Sequence, residues 1–152
     1  MLSPVARQRM RMVVAALWVW PAITVAVAAA TLSSFIVDRA VFGATVSGLF
    51  RVEAWVGLSC GLVLLSLLWS DPQIDPRNRR AQVIATVVGL ACIVGYFALQ
   101  PVMAALREGA GPGGVMATAA RRQFGMLHGA SMLLYLVQTV TAVFLLVKNR
   151  KP

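Results

Sequence analysis

The stretch R-R-Q-F-G-M-L-H-G-A-S-M-L-L-Y-L-V-Q-T-V-T-A-V-F-L-L-V, residues 121 to 147, decides the fold. After two arginines it runs from Gly125 to Val147 without a Lys, Arg, Asp or Glu. About 20 apolar residues in a helix cross the ~30 Å hydrocarbon layer of a bilayer, so this segment is long enough to span one. Three further apolar runs occupy residues 13–37, 52–69 and 83–106. Hydrocarbon offers no partner for backbone N–H and C=O groups, and none of the runs shows the short polar/apolar alternation of barrel strands. The expectation is an all-α integral membrane four-helix bundle, forming a single membrane domain over residues 1–152.

Composition agrees with that reading. The chain is 59% hydrophobic with a mean hydropathy of +0.79, outside the usual range of soluble domains. The first run follows Arg7, Arg9 and Arg11 like the basic start of a signal peptide. Its length of about 25 residues exceeds a signal core of 7 to 15, so a retained span is expected. A net charge of +9 raises the question of nucleic acid. The basic residues, however, sit at helix ends and in connections, with no recognition motif, so no nucleic-acid partner is expected.

The connections read as D-R-A-V-F-G-A-T-V-S-G, S-D-P-Q-I-D-P-R-N-R-R and R-E-G-A-G-P-G-G. Pro72 and Pro76 break helix in the second, and Gly109, Gly111, Pro112, Gly113 and Gly114 in the third. Residues 40–50, apolar but carrying Gly43, Ser47 and Gly48, are expected to form a short interfacial or re-entrant segment between helices 1 and 2. Four spans put the N-terminus, the middle connection and the C-terminus on one side. That side carries nine basic residues (Arg7, Arg9, Arg11, Arg77, Arg79, Arg80, Lys148, Arg150, Lys151) against five on the other (Arg39, Arg51, Arg107, Arg121, Arg122). The positive-inside rule then makes both termini cytoplasmic. The excess of arginine over lysine, with abundant alanine and valine, points to a bacterial inner membrane. Trp18, Trp20, Trp55 and Trp69, near span ends, read as an aromatic belt. Cys60 and Cys92 lack metal-ligand spacing and read as small residues at helix contacts.

At 100° per residue, His128, Ser131, Tyr135, Gln138 and Thr139 form one polar stripe on span four, which should face other helices or a wet cavity. Glu53 in R-V-E-A-W and Gln100, one turn beyond Tyr96, are expected at the same outer level. The candidate site is therefore an outer polar cluster of Glu53, Gln100, His128, Ser131 and Tyr135, with Gln138 on the same stripe. Three readings compete for it: interhelical hydrogen bonding; a cofactor site with His128 as the one candidate haem or metal ligand; and a path for a proton, ion or small solute with Glu53 and His128 titrating. No H-x-x-x-H or C-x-x-C pattern accompanies the histidine, so no metal or cofactor is expected, haem on His128 being the open exception. Ser131 at i+3 from His128 lacks an orienting acid and an oxyanion hole, so hydrolase chemistry is not expected. Gly57 and Gly61 form G-x-x-x-G, which lets helix backbones approach closely, within the bundle or between copies.

The segments G-L-F-R-V-E-A-W, Q-P-V-M-A-A-L-R and R-R-Q-F-G-M-L-H-G-A-S-M-L-L-Y-L-V-Q together resemble the bacterial branch of the transmembrane protein 205-like family, across about residues 10–147. In that comparison Phe124, Leu127, His128 and Ser131 correspond to an F-x-x-L-H-x-x-S core. After Leu49-Phe50 the chain has Arg51 and Glu53, where family members often carry an arginine- or histidine-bearing segment. The resemblance implies a four-helix membrane protein of unknown function and supplies no activity. The expected function is a non-enzymatic accessory or scaffold component of the membrane, contacting lipid and forming a homo-oligomer or part of a larger membrane complex. A small transporter or proton/ion-coupled protein is the alternative, and a haem- or metal-binding redox component the second.

Overall fold

The computed structural model describes residues 3–111 and 115–150. It is all-α, with helices α1 (Pro4–Phe35), α2 (Arg39–Trp69), α3 (Pro76–Glu108) and α4 (Thr118–Arg150), and no strand among the described residues. Each helix is long and apolar enough to cross a membrane. The breakers Pro112, Gly113 and Gly114, and the basic Lys151, lie outside the described residues.

The helices exceed the apolar runs inside them because their starts are set by caps rather than by hydropathy. Ser3 accepts from the Ala6 N–H at 3.2 Å with Pro4 opening α1, and Asp75 accepts from the Asn78 N–H at 2.9 Å with Pro76 opening α3. In each case a side-chain oxygen satisfies an orphan donor of the first turn and proline supplies a preset φ. Asp38 caps α2 in the same way, accepting from Ala40 and Val41. That cap corrects the expectation of a re-entrant segment over residues 40–50, since α2 runs unbroken from Arg39 to Trp69. The polar residues there do not interrupt it, because the Thr45 and Ser47 hydroxyls donate to the Val41 and Ala44 carbonyls of the same helix.

The four helices are arranged as an antiparallel square in chain order, each packed on its two neighbours. Their buried positions repeat at alternating steps of three and four: Arg11, Ala15, Trp18 and Ala22 in α1; Gln138, Ala142, Leu145 and Asn149 in α4. The same rhythm runs through Glu53, Gly57, Cys60 and Leu64 in α2 and Gln82, Thr86, Gly89, Ile93 and Tyr96 in α3. A 3.5-residue repeat is the seam of near-parallel, left-handed helix packing.

Trp18 fills the axis. It is 1% exposed, whereas Trp20, Trp55 and Trp69 face outward, so Trp18 is a core residue and not part of an aromatic belt. Its indole lies on three glycines. A Cβ on Gly57 would stand 2.9 Å from Nε1, one on Gly61 3.3 Å from Cη2, and one on Gly89 2.9 Å from Cη2. In a bilayer such burial removes no water, so its gain is close van der Waals contact, which glycine makes available. The G-x-x-x-G face of α2 is thereby occupied inside the bundle, by Trp18 of α1 and by Leu90 and Ile93 of α3. Cys60 and Cys92 are buried free thiols.

Packing is uneven along the bundle. Among the described residues, α1 beyond Ala22, α2 before Glu53 and α4 before Gln138 bury no side chain.

Candidate functional site

Two polar layers interrupt the apolar seam. In the first, the Gln138 Nε2 donates to Glu53 Oε1 at 2.5 Å. Each residue is 3% exposed, and the bond crosses the diagonal of the square from α4 to α2. Beside it, the Tyr135 hydroxyl donates to the Ala22 carbonyl of α1, and the Phe50 ring meets the Tyr135 ring edge-on at 5.0 Å. Tyr96 is buried at about the same level, within electrostatic range of Glu53, as is Tyr135. The Tyr96 hydroxyl and the Trp18 N–H have no hydrogen-bond partner among the described residues.

The second layer ties all four helices together at the end that carries both termini and the α2–α3 connection. Arg11 of α1 forms an ion pair with Asp71, just beyond α2, and its Nε donates to Asn149 Oδ1 of α4 at 3.0 Å. The Asn149 Nδ2 in turn donates to Gln82 Oε1 of α3 at 2.9 Å. Arg79 donates to the Asp71 carbonyl, and Arg7 stands 3.8 Å from the Asp71 carboxylate. Burial pushes the Asp71 carboxyl up. The hydrogen bonds from Arg11 and the Gln73 N–H, with the charges of Arg11 and Arg7, outweigh it and hold the group below the usual carboxylate range.

Depth follows from counting. The 21 residues from His128 to Asn149 rise roughly 31 Å at ~1.5 Å per residue, the thickness of the hydrocarbon layer. Gln138 lies near the middle of that interval and inside the uncharged run of residues 123–147, so the Glu53–Gln138 bond sits about ten residues of helix from His128 and about eleven from Asn149. The expectation that Glu53 joins His128 in an outer cluster is therefore corrected. The outer extension of α2, residues 39–52, carries Glu53 about ten residues deeper than His128.

The remaining expected members separate accordingly. The structure brings together Glu53 and Gln138, with Tyr135 alongside. Gln100 and Ser131 are half-buried further out. His128 is exposed and stacks on Phe124 with ring centroids 6.1 Å apart. The stripe does follow the packed seam, since residues 124, 128, 131, 135 and 138 continue its 3-and-4 spacing. His128 is exposed because the packed core of α4 ends at Gln138. At this outer level Arg107 of α3 donates to the Gly43 carbonyl at 3.2 Å and lies over the Phe124 ring at 6.0 Å. As to cofactors, no group of three His, Cys, Asp or Glu converges among the described residues, and Met126 and Met132 are exposed on the helix of His128.

Sequence reasoning missed the Arg11–Asp71–Asn149–Gln82 network, counting its arginine only as a topology signal. A signal was present. Asp71 is an acid on the strongly basic side, and Gln82 and Asn149 continue the apolar seams of their helices by one step.

The architecture defines a multi-pass membrane protein, a four-helix bundle whose interior carries two polar layers. The chain belongs to the family described as a domain of unknown function, DUF4149, whose match covers residues 12–112. That match begins within α1 after Arg11, takes in α2 and α3, and stops short of α4, and so of Phe124, Leu127, His128 and Ser131. No curated protein and no solved structure matches the chain.

Proposed function

We propose that the protein is a non-enzymatic accessory or scaffold component of the bacterial inner membrane, with both termini cytoplasmic, acting through helix contacts with copies of itself or with a larger membrane complex. One contrast carries the reading. The interior polar groups are used on each other, Glu53 on Gln138 and Arg11 on Asp71 and Asn149, while the outer halves of α1 and α4 bury nothing and present apolar surface at Val27, Met126, Met132 and Leu133. A bundle held shut at one half and unpacked at the other has surface to give to neighbouring helices. The orientation is supported by the nine-to-five bias in basic residues. The Q-P-V-M-A-A-L-R and R-R-Q-F-G-M-L-H segments further support kinship with the transmembrane protein 205-like family.

Photo-crosslinkers placed at Leu133 and, as an interior control, at Leu64 test this in intact membranes. Crosslinked products from Leu133 and none from Leu64 are expected. A solitary monomer with both, and in every mild-detergent preparation, refutes the reading.

A second reading, a proton- or ion-coupled protein, is favoured by one observation: the unpartnered Tyr96 O–H within electrostatic range of the buried Glu53 carboxylate. Ionisable groups at such depth are functional candidates by default. Proton flux into proteoliposomes that disappears in Glu53→Gln would establish it, and flux indifferent to that substitution removes Glu53 as the titrating group.

A further inference from the structure

We propose that two adjoining clefts at the terminal end of the bundle bind one phospholipid headgroup in which a phosphate ester carries a primary ammonium. The clefts measure about 280 and 220 Å³ and share a wall made by Val5, Gln8 and Asn149. Each is smaller than the roughly 300–1,000 Å³ of a site for a drug-sized organic ligand, which suits a phosphate or an aminoethyl group better than a bulky one. They lie at the level of Asn149, between Lys148 and Arg150, where charge ends the apolar run of α4, a level suited to the headgroups of one leaflet.

Charge assigns the two ends. The smaller cleft is lined by Arg9 and Arg150 and by no acid. Lys148, next to Asn149 in sequence, lines the larger cleft, its ammonium 5.7 Å from the Phe144 ring. Among the described residues none of these three cations is in a salt bridge, so a phosphate at the shared wall meets three unneutralised charges. The larger cleft differs. Its Arg11 and Asp71 form an ion pair, with Arg7 3.8 Å from the same carboxylate, which leaves the Lys148 ammonium for the phosphate and the Asp75 carboxylate, whose Oδ2 accepts from the Asn78 N–H, for the ammonium. Asn78 lines the same cleft, and its Oδ1 is buried without a partner. Acceptors in want of donors beside a negative charge suit a primary ammonium, which brings three N–H donors. A quaternary ammonium brings none. The apolar wall at Val5 and Met12 is placed to receive the glycerol end.

The test uses the full chain, delipidated in detergent and followed by native mass spectrometry and thermal shift. It is titrated with short-chain phosphatidylethanolamine, phosphatidylcholine and phosphatidylglycerol, and with inorganic phosphate. Phosphatidylethanolamine is expected to bind about tenfold tighter than phosphatidylcholine, the factor that follows from one charge-assisted hydrogen bond. Asp75→Asn retains the cap on α3, because asparagine caps as well as aspartate. It should therefore leave the lipid-free melting temperature in place while abolishing the preference over phosphatidylcholine. Arg9→Gln with Arg150→Gln should weaken every phospholipid alike. Equal binding of phosphatidylcholine, tighter binding of phosphatidylglycerol, inorganic phosphate binding as well as the lipid, or an unchanged preference in Asp75→Asn would each overturn the proposal.

Discussion

Replacing Glu53 and Gln138 by leucine, singly and together, separates a bond that holds the bundle from one that is incidental to it. Leucine approximates the volume of either residue, so the steric change is small and the polar change dominates. Gln138→Leu leaves the Glu53 carboxyl buried at mid-depth with its amide donor gone, and Glu53→Leu leaves the Gln138 amide likewise stranded. An unsatisfied buried group costs about 1–3 kcal/mol. The bond itself, judged from interhelical bonds in bilayers, contributes about 0.6–1.7 kcal/mol, because unfolded helices in a membrane find other partners. Each single variant should thus lose about 1–3 kcal/mol, while the double variant, with both polar groups gone, should lose less than either single one. Unfolding in mixed micelles on titration with a denaturing detergent, followed by tryptophan fluorescence, measures all four free energies of the cycle. Direct partners 2.5 Å apart must couple. If the double variant loses the sum of the two singles within about 0.5 kcal/mol, the two side chains are independent and the central layer does not join α2 to α4.

Other substitutions probe the rest of the framework. Gly57→Ala forces a Cβ to 2.9 Å from Trp18 Nε1 and should destabilise by about 1–3 kcal/mol in the same unfolding assay. Gly129→Ala, with nothing within 4 Å, should stay within about 0.5 kcal/mol. The Asp71 carboxyl is held below its ordinary range when folded, so its contribution is fully present above the unfolded value of about 3.9 and is lost as pH falls through the depressed folded value. The melting temperature should therefore show an acid limb that begins near pH 4 and is diminished in Asp71→Asn. His128→Ala, at an exposed side chain stacked on Phe124 of its own helix, should change stability by no more than about 0.5 kcal/mol in that assay.

Hydropathy made four helices legible because crossing a bilayer demands length and apolarity and little else. It said less about where they end, since the ends lie in polar sequence and are set by Ser3, Asp38 and Asp75, whose oxygens bond backbone groups of the first turn. That is why residues 40–50 read as an interruption when they are the outer third of α2. The same shift displaced Glu53: measured from the start of its apolar run it is a boundary residue, and measured from Asp38 it is central. The angular stripe on α4 continues the 3-and-4 spacing of the packed seam, yet an angle carries no information on how far along the helix packing persists. Trp18 shows a complementary blind spot. A tryptophan near the end of an apolar run resembles an interfacial anchor, and only the glycines brought opposite by α2 and α3 make it a core residue.

The polar layers acquire a common role when set against the solvent. In water, misplacing an apolar seam by one turn exposes it and is penalised, but in lipid a leucine slid along its neighbour still meets hydrocarbon, so apolar packing alone specifies register weakly. Polar contacts do not share that tolerance. Sliding α4 by one turn, about 5.4 Å, parts Asn149 from Arg11 and Gln82, Gln138 from Glu53, and Tyr135 from the Ala22 carbonyl in a single movement. These contacts come from all three other helices and lie at two levels about 16 Å apart, which fixes both its height and its rotation. A polar residue in a packed seam that sets register at some cost in stability is a known device of helix bundles. Beyond Tyr135 no hydrogen bond joins α4 to another helix among those described, and the half of α4 that carries His128 meets α3 through Leu134 at Gly95 and Phe124 under Arg107. The division of this chain into a pinned half and an unpinned one therefore follows from where its polar interhelical bonds stop.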